Sequence, residues 1–162
     1  MKIDGEITLP GDKSISHRSL IFGALASGTS KLFNLSDGED VKSTMSCLKD
    51  CNVKIVENKN YTTVNGKEFS KPNKALHCGN SGTTARLLAG FLANRKIDAT
   101  LVGDKSLSKR PMHRIIKPLR EMGSIIESND NFLPIKIKAN TLHGIDYQSQ
   151  ISSAQLLSLI HI

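Results

Sequence analysis

The sequence is poor in aromatic residues, with no tryptophan, two tyrosines and five phenylalanines among 162 residues. Aromatic rings are the platforms on which unpaired bases stack, and the basic residues here are scattered rather than grouped in one block. The chain has no run of the roughly 20 apolar residues that span a membrane, and its first five residues lack the apolar stretch of a signal peptide. We therefore expect a cytoplasmic protein that binds neither nucleic acid nor a membrane.

Cysteine is too sparse to build a disulfide framework or a zinc site. The three cysteines, Cys47, Cys51 and Cys78, are odd in number and show no Cys-x-x-Cys spacing. The histidines are separated in the chain without the spacing of metal ligands. We expect buried or half-buried thiols and no metal site.

Positive charge is what the chain has in excess. Lys and Arg number 22 against 15 Asp and Glu, which gives a net charge of +7. The length is that of one ordinary domain, and 38% hydrophobic with 23% charged residues is typical of a globular protein. The charge favours an anionic partner, but by itself it does not choose between nucleic acid, an acidic membrane surface and a phosphorylated or carboxylated small molecule.

Hydrophobic periodicity predicts alternating helices and strands. In the first half we predict a strand over 2–9, a helix from Ser14 closed by Ser27 and Gly28, a strand over 31–35, a helix capped by 36–40 and ending near Asp50, and a hairpin over 53–56 and 61–64. In the second half we predict a helix over 85–93, a strand over 99–102, a helix over 111–122 and a hairpin over 124–127 and 132–137. The order helix, strand, helix, strand, strand therefore occurs twice.

Matching residues indicate an internal repeat. Leu48 corresponds to Leu119 and Val64 to Ile135 at one offset, since 119 − 48 and 135 − 64 are both 71. Repeated units bury their apolar faces against one another, so a third unit is expected. Residues 143–155 resemble the start of such a unit, but only seven residues follow them. We expect an α/β chain that holds two complete units and the start of a third, truncated before the set closes.

The segment 11–18, with the letters GDKSISHR, is the most informative motif. A glycine turn delivers Lys13 and Ser14 to a helix N-terminus, where free N–H groups favour anions. Arg18 lies one turn after Ser14, so the two share a helix face and could jointly hold a carboxylate or phosphate. The alternative is a solvated basic turn.

Two further helix starts combine glycine, hydroxyl and guanidinium groups. Residues 79–84 form a Gly-rich turn that can bring backbone N–H groups close to an anion, and Arg86 follows inside the helix. Arg110 precedes Pro111, a residue typical of the first helical position. A plain helix cap and a charged loop explain these two features equally well when each is taken alone. The recurrence of the pattern at three helix starts favours one pocket for a polyanionic ligand.

Four ordered motifs make the chain similar to the enolpyruvyl transferases. They are residues 11–18, 79–83, 109–112 and 153–155, with the letters GDKSISHR, GNSGT, KRPM and SAQ. The resemblance implies an inside-out α/β barrel: two domains, each of three βαβαββ units with helices inside and sheets outside, that close over the substrates. In that scheme residues 1–12 form a strand that pairs with the second domain, 13–155 form an incomplete domain, and 156–162 depart from the family pattern as a non-native tail without a role.

The motifs most resemble those of the family members that act on 3-phosphoshikimate. The resemblance implies transfer of the enolpyruvyl group of phosphoenolpyruvate to the 5-hydroxyl of 3-phosphoshikimate in aromatic amino-acid biosynthesis, by an enzyme that is monomeric and needs no metal or organic cofactor. By similarity, Lys13 is the catalytic residue that this chain supplies, and it contacts both substrates. The other implied roles are 3-phosphoshikimate binding by Ser14, Arg18, Ser153, Ala154 and Gln155, phosphoenolpyruvate binding by Gly82, Arg110 and Gln155, and support by Asn80 and Arg86.

Two alternatives stand beside this interpretation. A sister enzyme of the family acts on UDP-N-acetylglucosamine and uses a reactive cysteine on a mobile loop, whereas Cys47 and Cys51 fall on a predicted helix. A protein of another class would be a non-enzymatic module that binds anions or nucleic acid. Under the main interpretation the acid and base carboxylates come from the family's other half, so this chain alone is expected to be inactive.

Overall fold

The computed structural model describes residues 4–7, 9–66, 69–149 and 152–161 of the chain. The first set of elements is α1 (Lys13–Leu25), β1 (Thr29–Phe33), α2 (Glu39–Asp50), β2 (Lys54–Glu57) and β3 (Tyr61–Asn65). The second set is β4 (Leu76–His77), α3 (Gly82–Ala93), β5 (Ala99–Val102), α4 (His113–Glu121), β6 (Ile125–Asn129) and β7 (Phe132–Lys138), and α5 (Ala154–His161) follows it. The order helix, strand, helix, strand, strand is confirmed in both halves.

Each half folds its strands into one sheet. Strands β1, β3 and β2, in this spatial order, form a three-stranded antiparallel sheet. Strands β5, β7 and β6 repeat that arrangement in the second sheet, where β4 adds a fourth strand parallel to β5. The parallel pair is connected through α3, because parallel neighbours need a crossover. The α/β fold class is confirmed, and the two sheets share an arrangement of three strands.

The core lies between the helices and one face of each sheet. Helix α3 is buried on nearly every side because apolar residues such as Leu87, Leu88 and Phe91 surround it. Strand β7 instead alternates, with Ile135 buried and Lys136 exposed. Helix α3 contacts α2, α4, α5, β5 and β7. It is therefore the central element, and its N-terminus is surrounded by neighbouring elements.

The N-terminal segment departs from the sequence prediction. Residues 4–7 and 9–12 form no strand, while residues 1–3 and 8 lie outside the described part of the chain. An alternating segment becomes a strand only by pairing, and no described strand pairs with it. Its pairing with a second domain stays a prediction. The sequence pattern also missed β4 and a 3-10 turn at Leu107–Lys109, because each is too short to show a period.

Helix α5 continues through residues 156–161, the segment expected to have no role. Leu156 and Leu159 are buried in the core, and α5 packs against α3 and α4. Gly90 of α3 approaches so closely that a Cβ there would lie 2.6 Å from the carbonyl oxygen of Leu159. The segment thus extends the core, whereas its non-native origin stays a prediction. Ile162 lies outside the described residues, and no described helix is long and apolar enough to cross a membrane.

Candidate active site

Helix α1 begins where the first motif predicts a helix start. Asp12 caps it, since its carboxylate accepts a hydrogen bond from the backbone N–H of Ile15 at 2.7 Å. Lys13 and Ser14 are exposed in the first turn. The Lys13 Nζ lies 3.0 Å from a carboxylate oxygen of Asp40, at the start of α2. This turn therefore places an ammonium group, paired with Asp40, at the N-terminus of α1.

Arg18 is half-buried one turn further along α1. Its Nη1 donates to the carbonyl oxygen of Ser14 at 3.1 Å, and its Nε donates to the hydroxyl of Ser158 at 2.9 Å. The predicted proximity of Ser14 and Arg18 is present, although their direct bond uses the Ser14 backbone. Arg18 also connects α1 to α5, a contact that the sequence does not predict.

Buried polar side chains tie the starts of α1, α2 and α3 together. The Nδ1 of His17 lies 2.7 Å from the Thr44 hydroxyl, which lies 2.7 Å from the Thr84 hydroxyl. The Thr84 hydroxyl also lies 2.8 Å from the Ser81 Oγ and 3.1 Å from the Asp40 carbonyl oxygen, and its single proton can go to either acceptor. His17, Thr44, Thr84 and Ser81 are fully buried. This buried network fixes the relative positions of three helix N-termini.

His17 is the titratable member of the buried network. Burial lowers its pKa to about 4, Asp40 opposes this shift, and Lys13 and Arg18 add to it. The ring is therefore neutral at pH 7, and its Nε2 has no hydrogen-bond partner among the described residues. Sequence reasoning missed the network because the hydrogen-bonded pairs are separated by 27 and 40 positions, beyond any local pattern.

The loop before α3 holds Arg110 in place. The Asn80 Oδ1 accepts a hydrogen bond from Arg110 Nη2 at 2.6 Å, and the Asn80 Nδ2 donates to Asp104 at 2.7 Å. Asp104 also accepts from the backbone N–H of Leu107 at 2.7 Å. The hydrogen bond from Asn80 is the main cause that lowers the pKa of Asp104. A neutral amide thus stands between the guanidinium group and the carboxylate and orients both.

Three guanidinium groups meet at a cleft of about 300 Å³, which we call the arginine cleft. Its lining residues are Arg86, Arg110, Pro111, Arg114, Ile115, Ser153, Gln155 and Leu156. Burial first, then repulsion from Arg110 and Arg114, lowers the pKa of Arg86, yet an arginine stays protonated at neutral pH. Like charges held together favour an anionic occupant. Sequence reasoning missed Arg114, because Arg110 lies before α4 in extended backbone and no spacing within one element relates the two arginines.

Gly82 opens α3 beside the arginine cleft. A Cβ at this position would lie 2.7 Å from Nη1 of Arg86 and 3.6 Å from Nη1 of Arg110. The missing side chain leaves room for both guanidinium groups at the helix N-terminus, where backbone N–H groups also favour anions. From α5, Gln155 Nε2 donates a hydrogen bond to the Thr83 hydroxyl at 3.2 Å. Helix α5 is thereby attached to the first turn of α3.

The predicted site residues fall into two neighbouring groups. Arg86, Arg110, Ser153 and Gln155 line the arginine cleft, with Gly82 and Asn80 in contact with its arginines. Lys13, Ser14 and Arg18 lie on α1 and are not among the residues that line the cleft, while Ala154 is exposed at the start of α5. Helix α5 connects the two groups, since Gln155 contacts α3 and Ser158 contacts α1.

All three cysteines are free and buried, as the sequence predicts. Burial raises the pKa of Cys51 to about 12. A hydrogen bond with Cys47, together with burial, raises the pKa of Cys78 far above its usual range. The thiolate is the reactive form, so these thiols do not fit the reactive cysteine of the sister enzyme. In the described part of the chain, no three His, Cys, Asp or Glu residues cluster as metal ligands would.

Comparison with known proteins identifies the family to which the chain is similar. The family model for EPSP synthase (3-phosphoshikimate 1-carboxyvinyltransferase) matches residues 1–161. The 3-phosphoshikimate 1-carboxyvinyltransferase of Oceanobacillus iheyensis is 46% identical over 163 residues, which cover 98% of this chain and 38% of the relative. The enzyme of the same name from Ruthia magnifica is 47% identical over 162 residues, which cover 98% of this chain and 37% of that relative.

The fold of the chain also matches a solved structure. The structure of EPSP synthase from Acinetobacter baumannii superposes on this chain with a TM-score of 0.90 at 43% identity. The match covers 96% of this chain and 37% of the Acinetobacter chain. The present chain spans about 38% of the length of the curated relatives it matches. Because sequence and fold agree over nearly all of that span, the chain belongs to the EPSP synthase (3-phosphoshikimate 1-carboxyvinyltransferase) family.

Proposed function

We propose that this chain supplies substrate-binding groups of a 3-phosphoshikimate 1-carboxyvinyltransferase. The reaction moves the enolpyruvyl group of phosphoenolpyruvate to the 5-hydroxyl of 3-phosphoshikimate, giving 5-enolpyruvylshikimate 3-phosphate and phosphate. The observation that carries the proposal is the convergence of Arg86, Arg110 and Arg114 on a cleft that also contains Ser153 and Gln155. Both substrates carry phosphate and carboxylate groups, which guanidinium groups bind through charge-assisted hydrogen bonds.

Helices α1 and α5 are proposed to bind 3-phosphoshikimate. Arg18, Ser14 and the residues Ser153, Ala154 and Gln155 would contact its phosphate and ring substituents. Support comes from the Arg18 to Ser158 and Gln155 to Thr83 hydrogen bonds, which bring α5 beside the starts of α1 and α3. Each of these starts also offers backbone N–H groups to an anion.

Phosphoenolpyruvate is proposed to bind at the start of α3. Gly82 would allow close approach of the ligand, and Arg110 and Gln155 would contact it, with Lys13 reaching both substrates. Asn80 supports this role for Arg110, because it accepts a hydrogen bond from that guanidinium group at 2.6 Å. Arg86 is proposed to act mainly through its charge, since it is half-buried between Gly82 and the cleft.

The chain by itself is proposed to bind without catalysing the transfer. The reaction needs a general acid and a general base, and none of the described residues that line the arginine cleft is a carboxylate. The remaining length of the family's proteins would supply these groups. We also propose that the whole enzyme is a cytoplasmic monomer without a cofactor, which is supported by the family resemblance and by substrates too highly charged to cross a bilayer.

Calorimetric titration of this chain with 3-phosphoshikimate tests the proposal. We expect saturable binding that is lost in Arg18→Ala, while Lys138→Ala, an exposed lysine on β7, serves as the matched loss of one positive charge. Lack of binding by a chain that melts cooperatively, or equal losses in both variants, would contradict the proposal. A second test is growth of a strain that lacks the enzyme, which this chain should restore only with the remaining part of a relative.

A further inference from the structure

Ser158 makes a contact that neither the motifs nor the family resemblance assigns. Its hydroxyl accepts a hydrogen bond from Arg18 Nε at 2.9 Å, across 140 positions of the chain. The serine lies on α5, in the segment that the sequence analysis left without a role. It is half-buried, as is Arg18, so the bond is partly shielded from solvent.

The shape of α5 explains why Ser158 faces Arg18. Residues three apart lie on one side of a helix, which places Ser158 beside Gln155. Gln155 donates to Thr83 at the start of α3. Leu156 and Leu159 are buried in the core and set the rotation of the helix. The polar side of α5 therefore spans the starts of α3 and α1.

The two contacts of Arg18 fix the orientation of its guanidinium group. Nη1 is bonded to the Ser14 carbonyl oxygen and Nε to the Ser158 hydroxyl. A guanidinium group is planar with five N–H donors, so bonds at two of its nitrogens determine where the remaining donors point. Both acceptors are neutral, so the positive charge stays available to an anion. Asn80 holds Arg110 in the same manner.

We propose that Ser158 is a positioning residue, which holds Arg18 in the orientation that binds the anionic part of 3-phosphoshikimate. The inference rests on the proposed function of Arg18. An orientation fixed before binding spares the entropy of ordering a long side chain when the ligand arrives. A hydroxyl bonded to a half-exposed guanidinium group contributes little to folding, so the main effect falls on binding.

Titration with 3-phosphoshikimate separates positioning from general stabilisation. Ser158→Ala should weaken binding by about three- to tenfold, and Ser158→Thr, which keeps the hydroxyl, should restore most of it. Ser46→Ala removes an exposed serine from α2 and should leave binding unchanged. Arg18→Lys keeps the charge but replaces Nε with a methylene group, so adding Ser158→Ala to it should have no further effect. An equal loss from Ser158→Ala in both backgrounds would overturn the proposal.

The Arg18 Nε–H resonance gives a readout independent of the ligand. We expect Ser158→Ala to shift it and to speed its exchange with water, whereas Ser158→Thr should preserve it. An unchanged resonance overturns the positioning role, and so does wild-type affinity in Ser158→Ala. If the unchanged chain does not bind 3-phosphoshikimate, the proposed function fails, and the resonance alone then decides whether Ser158 orients Arg18.

Discussion

Two basic regions of the molecule are similar in size but hold their charges differently. The arginine cleft has a volume of about 300 Å³. A second pocket of about 320 Å³, which we call the lysine pocket, is lined by Lys71–Ala75, Asp98–Thr100 and Lys136–Lys138. It lies where β5 begins, whereas the loop that contains Arg110 follows the other end of β5. The two regions are therefore at opposite ends of one strand.

The lysine pocket neutralises much of its own charge. Lys71 pairs with Asp98 at 3.2 Å, and Lys74 pairs with Asp50 at 3.1 Å, all with exposed or partly exposed side chains. The backbone N–H of Ala139, followed by Lys71, lowers the pKa of Asp98, which keeps that carboxylate ionised. In the arginine cleft, neutral groups such as Asn80 orient the cations instead. A net charge of +7 therefore does not distinguish the two regions, whereas the partners that hold their cations do.

The largest effect we expect is a loss of folding stability in acid, caused by protonation of His17 in the buried network. The pKa of His17 is about 4 in the folded chain, below the usual 6.5, so the unfolded chain takes up its proton first. The stability that neutral His17 provides is full above pH 6.5 and falls as the pH drops from 6.5 to about 4, by about 3 kcal/mol. Urea unfolding at pH 7 and pH 4 measures this loss.

His17→Asn should flatten that pH dependence, because asparagine does not titrate. Lys71→Ala, at the lysine pocket, should keep the wild-type dependence because exposed ion pairs contribute little to folding. If His17→Asn loses as much stability between the two pH values as the wild type, the histidine is not the acid-sensitive group of the scaffold.

The second largest effect should come from removing one cation from each of the two regions. Arg110→Ala removes a guanidinium group oriented by Asn80, and we expect the affinity for phosphoenolpyruvate to fall by about ten- to a hundredfold. Lys136→Ala removes the same charge from the lysine pocket and should change the affinity by less than about twofold. Calorimetry of both variants measures the difference, and equal losses would mean that overall charge, not its placement, attracts the ligand.

Loss of the neutral partner should have a smaller effect than loss of the cation. Asn80→Ala frees Arg110 from its 2.6 Å hydrogen bond, so we expect phosphoenolpyruvate to bind about three- to tenfold more weakly. Asp98→Ala, which frees Lys71 in the lysine pocket, is the matched control and should leave binding unchanged. If Asp98→Ala binds more weakly and Asn80→Ala binds as the wild type does, the assignment of the two regions is reversed.

The smallest effect is expected at Gly82. Gly82→Ala places a Cβ 2.7 Å from Arg86 Nη1, and the end of that side chain can move aside, so we expect binding to weaken by about two- to fivefold with little loss of stability. The same substitution in an Arg86→Met background should have less effect, because the crowded atom is gone. An unchanged affinity in Gly82→Ala would show that the arginine can retreat without a cost to binding.

Apolar periodicity and turn residues predicted the helices and hairpins whose formation depends on residues close together in the sequence. Helix α3 and the β6–β7 hairpin follow from apolar periodicity, and the start of α1 follows from the Gly11–Asp12 turn. Periodicity also predicted a strand over 2–9, but an alternating segment needs a partner that no described residue supplies.

The rest of the candidate site depends on contacts between distant segments. The cleft residues Arg86 and Arg110 were identified from motifs, whereas Arg114 belongs to the cleft only because α4 packs beside α3. The pairing of His17 with Thr44 and of Arg18 with Ser158 exists only after helices far apart in sequence meet. No periodicity within one element encodes such pairs.

The most direct test is to follow the backbone and arginine side-chain resonances of this chain while 3-phosphoshikimate is added. We predict that the shifts centre on Arg18, Gln155 and the arginine cleft, and that the resonances of Lys71, Lys74 and Lys136 stay in place. Shifts that centre on those lysines, or that spread evenly over all basic residues, would contradict the claim that oriented guanidinium groups form the binding site.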